Sequence, residues 1–204
     1  LSVMHDANHH AYSKNKWVNI IVGKVIWIVG GSDVNWRIQH NVLHHTYTNV
    51  VGMDEDIDIG NLMRFSPGQK LLKAHKFSSR TMLTTLIITK SLYTLVTLGL
   101  PLIFSALPWW GVVLGYLLMH FIAGLILSMV FQPAHVVPTS EYSKVDEEGG
   151  IDLDWASNQM MNTANFAQDS KLFSWYVGGL NFQIEHHLFP NICHIHYKKI
   201  SDIV

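Results

Sequence analysis

The sequence predicts an all-α integral membrane protein: a transmembrane helical hairpin with a cytoplasmic helical cap that carries a histidine-ligated di-metal site. Three observations lead there. Eight of the 13 histidines fall into three short clusters, His5-Asp6-Ala7-Asn8-His9-His10, His40-Asn41-Val42-Leu43-His44-His45 and Gln183-Ile184-Glu185-His186-His187. Two long apolar segments lie between the second and third clusters. Charged residues make up 14% of the 204-residue chain, against roughly 25% in an average soluble domain. Neutral imidazole is the commonest side-chain ligand for a transition metal, so recurring clusters around apolar segments point to one site assembled in a membrane protein.

In the first cluster, His5 and His9 are four residues apart and face the same way on a helix. Asp6 is read either as a carboxylate that orients a ligand ring through its other nitrogen or as a helix cap. His10 faces another direction. The following segment, Trp17–Gly31, is apolar but contains Gly23 and Lys24. It is read as an interfacial or half-buried helix, because crossing the membrane would separate the first two clusters.

The second cluster repeats the four-residue spacing at His40 and His44, with His45 about 100° further round an α-helix. Next come Asp54-Glu55-Asp56 and Asp58, which lack the glycine and terminal Glu spacing of a calcium loop and read as a solvated loop. His75 lies in a basic stretch and reads as solvated. Lys70, Lys73 and Lys76 fit either phosphate contacts or a topology signal.

Two segments are long enough to cross a bilayer, which takes about 20 mostly apolar residues. One runs from Met82 to about Leu107, interrupted by Lys90 and Pro101; the other runs from Trp109 to Phe131 without a formal charge. Lys90 is read as snorkelling to the interface. Pro108 makes the joint tight, and Trp109 and Trp110 belong at the headgroup layer. Arg64, Lys70, Lys73, Lys76 and Arg80 flank the first span, whereas the hairpin tip carries no cation. The positive-inside rule then makes the common side of all three clusters cytoplasmic.

Pro138–Asp154 reads as a polar loop and Asp154–Asn165 as an amphipathic helix. In the third cluster Gln183 and His186 are three apart, with His187 adjacent. Seven or more histidines exceed the needs of one ion. Nitrogen and oxygen donors without thiolate suit iron, zinc, copper or manganese. Cys193 is the only cysteine, so internal disulfides are excluded. Cys193, His194 and His196 are read as a structural cluster at the membrane surface. His120 and His135 share one helix, roughly 22 Å apart, but the first span has no facing histidine for a haem. The net charge of −1 gives no reason to expect nucleic acid. Ligands outside the spans argue against a metal transporter, which places them near the midplane.

The order HDxxH, HxxxHH, transmembrane hairpin, QxxHH resembles the membrane fatty-acid desaturase family, and the Gln opening the third box resembles its front-end branch and bacterial relatives. The match extends beyond the histidines to Gln39-His40-Asn41-Val42-Leu43-His44-His45-Thr46-Tyr47-Thr48-Asn49 and Asn181-Phe182-Gln183-Ile184-Glu185-His186-His187-Leu188-Phe189-Pro190. Residues 1–204 then correspond to part of the family's catalytic domain, lacking its N-terminal membrane hairpin and a C-terminal tail.

The resemblance implies two non-haem irons held by His5, His9, His40, His44, His45, His186 and His187, with Gln183 as a weaker oxygen donor. It also implies a further histidine between the second and third boxes. His135, at the cytoplasmic mouth of the second span, is read either as that ligand or as a structural polar residue at a helix end; Phe166 stands where an Asn-xxx-His element beginning at Asn162 would place a histidine. The implied reaction is O2-dependent desaturation of a long acyl chain carried on coenzyme A, acyl carrier protein or a membrane lipid. Electrons would come from ferredoxin or cytochrome b5. A lipid hydroxylase of the same di-iron group is the alternative.

Overall fold

The computed structural model describes residues 2–50, 53–54, 78–138, 140, 142–144 and 150–204. Among the described residues the chain is helical, with no strand. The expected basic flank from Arg64 to Lys76, the acidic residues Glu55, Asp56 and Asp58, and His75 lie outside the described residues.

The chain enters through α1, Ser2–Asn8, then α2, Lys16–Val29, and α3, Asp33–Tyr47, which meets α2 at 105°. The Asn15 side chain caps α2 by accepting from the Trp17 amide, and Ser32 caps α3 by accepting from Asn35. Gly30 makes the turn between them. Its φ is +75°, and a Cβ there would sit 2.8 Å from the Tyr93 ring, so both backbone and space require glycine. Trp17, Ile21 and Ile28 of α2 are exposed. That apolar, outward face suits an interfacial helix, and α2 with α3 is also apolar and long enough to form a bent span.

The hairpin consists of α4, Ser79–Phe104, and α5, Trp109–His135. Both are exposed along nearly their whole length, with large apolar side chains such as Phe104, Phe121 and Met129 facing outward. Such a surface is stable only with lipid as the solvent. In α4 the winding widens at Leu95–Gly99, where the Leu100 amide reaches back to the Leu95 carbonyl. Pro101 follows; it has no N–H and would clash with a carbonyl in regular winding, so a local bulge at this point accommodates it. Lys90 is exposed on α4. The second span runs past Phe131, where the sequence reading ended it. It continues through Pro133 to His135, which carries that histidine to the end of the hairpin away from Trp109 and Trp110.

The cap is completed by α6, Trp155–Asn162, α7, Lys171–Val177, α8, Gln183–Leu188, and α9, Tyr197–Ile200. Asp154 caps α6. The helix expected to reach Asn165 stops at Asn162, because the Ala164 amide donates to the Ala134 carbonyl of α5 instead of to its own helix. Ile38 of α3 packs on Met82 of α4 with Val34 beside it, tying the cap to the first span. Elsewhere the interior is unusually polar. Asn49 donates to the carbonyls of His135 and Asn162, and Asn158 donates to Thr48. These buried bonds replace apolar packing as the link between α3, α5 and α6.

Candidate metal centre

The four short helices α1, α3, α6 and α8 close around the end of α5, and the histidines meet at the junction. In α3 the stretch Arg37–His44 is wound as a π-helix, closed by the His45 amide donating to the His40 carbonyl five residues back. This wider winding turns each residue by less than the α-helical angle. His45 therefore lies nearer the face of His40 and His44 than regular winding would place it. Such bulges recur at functional sites.

Ring nitrogens of His5, His9, His40 and His186 lie within 4.8 Å of one another. His5 Nε2 and His40 Nε2 are 3.2 Å apart. A second group, His44, His135 and His187, meets the same limit, with ring centroids 4.6 to 4.9 Å apart. His45 sits between the two groups, 4.6 Å from the His186 ring and 4.4 Å from that of His187. The structure thus brings together every histidine of the expected set, including His135 from the end of the span. His10 is exposed with a φ of +61°. His120 stays in the membrane hairpin, 3.0 Å from the Tyr93 hydroxyl and 2.8 Å from the Tyr116 carbonyl.

The rings of His5, His9, His44, His45, His135, His186 and His187 are buried, and that of His40 is half-buried. Burial, reinforced by the neighbouring rings, holds His9, His40, His45, His186 and His187 well below the ordinary histidine range. Burial also lowers His5, against the opposing pull of Asp6. These side chains are neutral at pH 7 and offer lone pairs.

Several buried ring nitrogens have no hydrogen-bond partner among the described residues: Nε2 of His9, His186 and His187, and both nitrogens of His45 and His135. An unpartnered buried polar atom costs about 1–3 kcal/mol, so so many in one place require another kind of partner. All-imidazole donors converging in two groups fit a pair of transition-metal ions.

The outer ring nitrogens of His44, His187 and His186 have protein partners. His44 Nδ1 lies 2.9 and 3.1 Å from the Asp54 carboxylate oxygens. His187 Nδ1 lies 2.8 Å from Gln159 Oε1, which also accepts from Thr48. His186 Nδ1 lies 3.1 Å from the Tyr197 hydroxyl. Such partners fix ring orientation and tautomer, leaving Nε2 to face a metal. Asp54 corrects the sequence reading: it is buried, and it accepts from the Asn49 amide besides His44, so it is not in a solvated loop. Gln159 and Tyr197 gave no sequence signal at all, since neither belongs to a motif.

Asp6 lies inside α1 and caps nothing. Its Oδ2 accepts from the His194 backbone amide at 3.0 Å and lies 2.6 Å from His194 Nδ1, while Oδ1 is 3.5 Å from His5 Nδ1. Burial would raise the Asp6 carboxyl, but the bonds to His194 and His5 outweigh it and hold the group ionised far below the usual carboxylate range. Cys193 completes a small group with Asp6 and His194. Burial, with Asp6 beside it, pushes the Cys193 thiol up to about 11, and a protonated thiol is a poor ligand. That group is a latch between the first box and the segment after the third.

Gln183 is buried in the first turn of α8. Its amide nitrogen donates to the Leu180 carbonyl at 2.6 Å, and no hydrogen bond joins it to a histidine ring. Glu185, between Gln183 and His186, accepts both bonds of the Asn165 amide nitrogen. Asn165 also accepts from the Ile184 amide, which seats α8 against the segment after α6. Asn162 directs its amide nitrogen to Asn158.

The family model for fatty acid desaturase matches residues 1–204. The chain is 34% identical to an sn-1 linoleoyl-lipid 6-desaturase of Synechocystis sp. over all of this chain and 67% of that protein. It is 35% identical to the protein of the same name from Arthrospira platensis, over all of this chain and 65% of that protein. An acyl-lipid (8-3)-desaturase of Physcomitrium patens is 31% identical over all of this chain and 50% of its own length. The chain thus spans from half to about two thirds of these relatives. No solved structure matches it. With its histidine boxes gathered at the end of a membrane hairpin, the chain belongs to the fatty acid desaturase family.

Proposed function

We propose that the intact protein introduces a double bond into the long acyl chain of a membrane lipid at a di-iron centre. The observation that carries this reading is the convergence of two imidazole groups, His5, His9, His40 and His186 and then His44, His135 and His187, at one end of an apolar hairpin. His45 would serve between the two metals. Gln183 would add an oxygen donor from the first turn of α8. Iron bound there would supply the O2 activation needed to remove hydrogen from an unactivated methylene.

The chain's own residues do the rest. Asp54, Gln159 and Tyr197 hold three rings in register. The buried asparagine network locks α3, α5 and α6 together. Burial of the rings keeps water from the site and keeps the imidazoles neutral. The lipid carrier is favoured over coenzyme A or acyl carrier protein because the relatives above are named for lipid-linked acyl chains. Ferredoxin or cytochrome b5 would deliver the electrons, and the metal-bearing side would be cytoplasmic.

The test is expression of the intact protein in a host lacking the product, followed by lipid analysis and iron determination. New double bonds in intact glycerolipids, with iron in the purified protein, are expected. A hydroxylated product, or an active protein holding zinc without iron, would overturn the reading. Single cysteines at positions 56 and 147 should label from the same, cytoplasmic side; labelling from opposite sides would refute the assigned topology.

A further inference from the structure

Behind the first histidine box lies a cavity of about 440 Å³. Its walls include Asn8, Lys24, Trp27, Asp33, Arg37 and Ile88. They come from α1, α2, the start of α3 and the first span, so the cavity lies between the cap and the membrane hairpin. Its polar groups are prearranged. Arg37 donates from Nη2 to Asp33 Oδ2 at 3.1 Å and from Nε to the Asp33 carbonyl at 3.2 Å. Trp27 Nε1 donates to Asp33 Oδ1 at 2.8 Å. One carboxylate thereby fixes both a guanidinium and an indole, while the remaining Arg37 N–H groups make no hydrogen bond among the described residues. Lys24 makes no ion pair among the described residues; its Nζ stands 5.7 Å from the centre of the Trp27 ring.

The charges in this wall are Lys24 and Arg37 against Asp33, an excess of one positive charge. A volume of this size exceeds what a bound ion needs and lies in the range of small-molecule sites. Ile20 and Ile88 add apolar wall beside the polar groups. A ligand suited to this place carries a single negative charge with several acceptor oxygens, and its apolar remainder lies in the bilayer.

We propose that this cavity binds the phosphodiester headgroup of an anionic glycerolipid, with Lys24 and Arg37 on the phosphate oxygens and Trp27 against the glycerol. Two sources share this chemistry: the substrate lipid, or a lipid held as part of the structure. Only the choice between them rests on the desaturase reading; the binding itself does not.

The experiment uses the intact, iron-loaded protein in detergent, incubated with phosphatidylglycerol and, separately, with diacylglycerol and a glycosyl diacylglycerol. Retained lipid is counted by native mass spectrometry. Phosphatidylglycerol should be retained preferentially, and Lys24→Gln should weaken its retention about tenfold, the scale of a lost charge-assisted bond. Lys24 is exposed, so this variant should fold, and unchanged iron content checks that it does. Arg37→Lys, which keeps the charge but loses the fork, should weaken retention as well. Equal retention of diacylglycerol, preference for the glycosyl lipid, or undiminished binding in Lys24→Gln would overturn the proposal. Supplying O2 and reductant to the loaded protein then separates the sources: a new double bond in the retained lipid identifies substrate, and unchanged acyl chains identify a structural lipid. Either result is compatible with the site. A protein that binds phosphatidylglycerol yet desaturates nothing in any host would refute the activity while leaving the site intact.

Discussion

Asp54 and His44 form a buried pair, the imidazole Nδ1 standing 2.9 and 3.1 Å from the two carboxylate oxygens. A neutral ring that donates a hydrogen bond from Nδ1–H to a carboxylate must carry its lone pair on Nε2. The pair therefore assigns the tautomer and makes His44 a stronger base toward a metal.

The first prediction follows from this pair. Asp54→Asn should weaken iron binding by about 10–100-fold, the usual cost of losing such an orienting partner. Iron titration of the intact protein against a calibrated chelator is the check. Wild-type affinity in the variant would mean that Asp54 only shapes the backbone around Asn49, whose amide it also accepts.

His135 tests the division of the centre into two groups. It is the ligand candidate supplied by the span, and it completes the group with His44 and His187. His135→Ala should lower iron from about two per chain to about one, since three nitrogens are few for a metal site to lose one, while the protein still reaches the membrane. Metal analysis of the membrane-extracted variant decides the matter; full iron content would exclude His135.

His194 is bound more tightly into the structure than a peripheral surface residue. His194→Ala removes the side-chain partner 2.6 Å from the buried Asp6 carboxylate. The backbone amide remains. The expected loss is about 1–3 kcal/mol, the penalty for an under-satisfied buried group, seen as a lower melting temperature with the iron stoichiometry retained. An unchanged melting temperature would show that the latch contributes nothing.

The buried rings also set a pH dependence for the metal-free protein. Their folded-state values lie below 6.5, their ordinary one. Below pH 6.5 the unfolded chain therefore takes up protons that the folded chain refuses. Stability is fully present above pH 6.5 and falls as pH drops below it. Thermal melts of chelated protein between pH 8 and pH 5 should show this decline, and iron loading should oppose it. A flat profile in the chelated protein would contradict the burial of the cluster.

The sequence alone determined the helical class, the two spans and the set of histidines that the fold gathers at one place. These features are local: apolar runs of bilayer length, and imidazoles repeated at helical spacing, survive in the order of residues whatever the chain packs against. His135 was legible for a related reason, since the end of a span fixes where that residue must lie. The tertiary structure decided the rest. It divided the histidines into two groups, gave His45 its place between them through π winding, and recruited Asp54, Gln159 and Tyr197 as partners for ring nitrogens. It also ended α6 at Asn162 by giving the Ala164 amide a carbonyl on α5. Each of these depends on which side chains meet across long separations in the chain, as between Thr48 and His187, 139 residues apart. A hydrogen bond between distant residues leaves no periodic trace, because its geometry is set by packing and not by spacing along the chain.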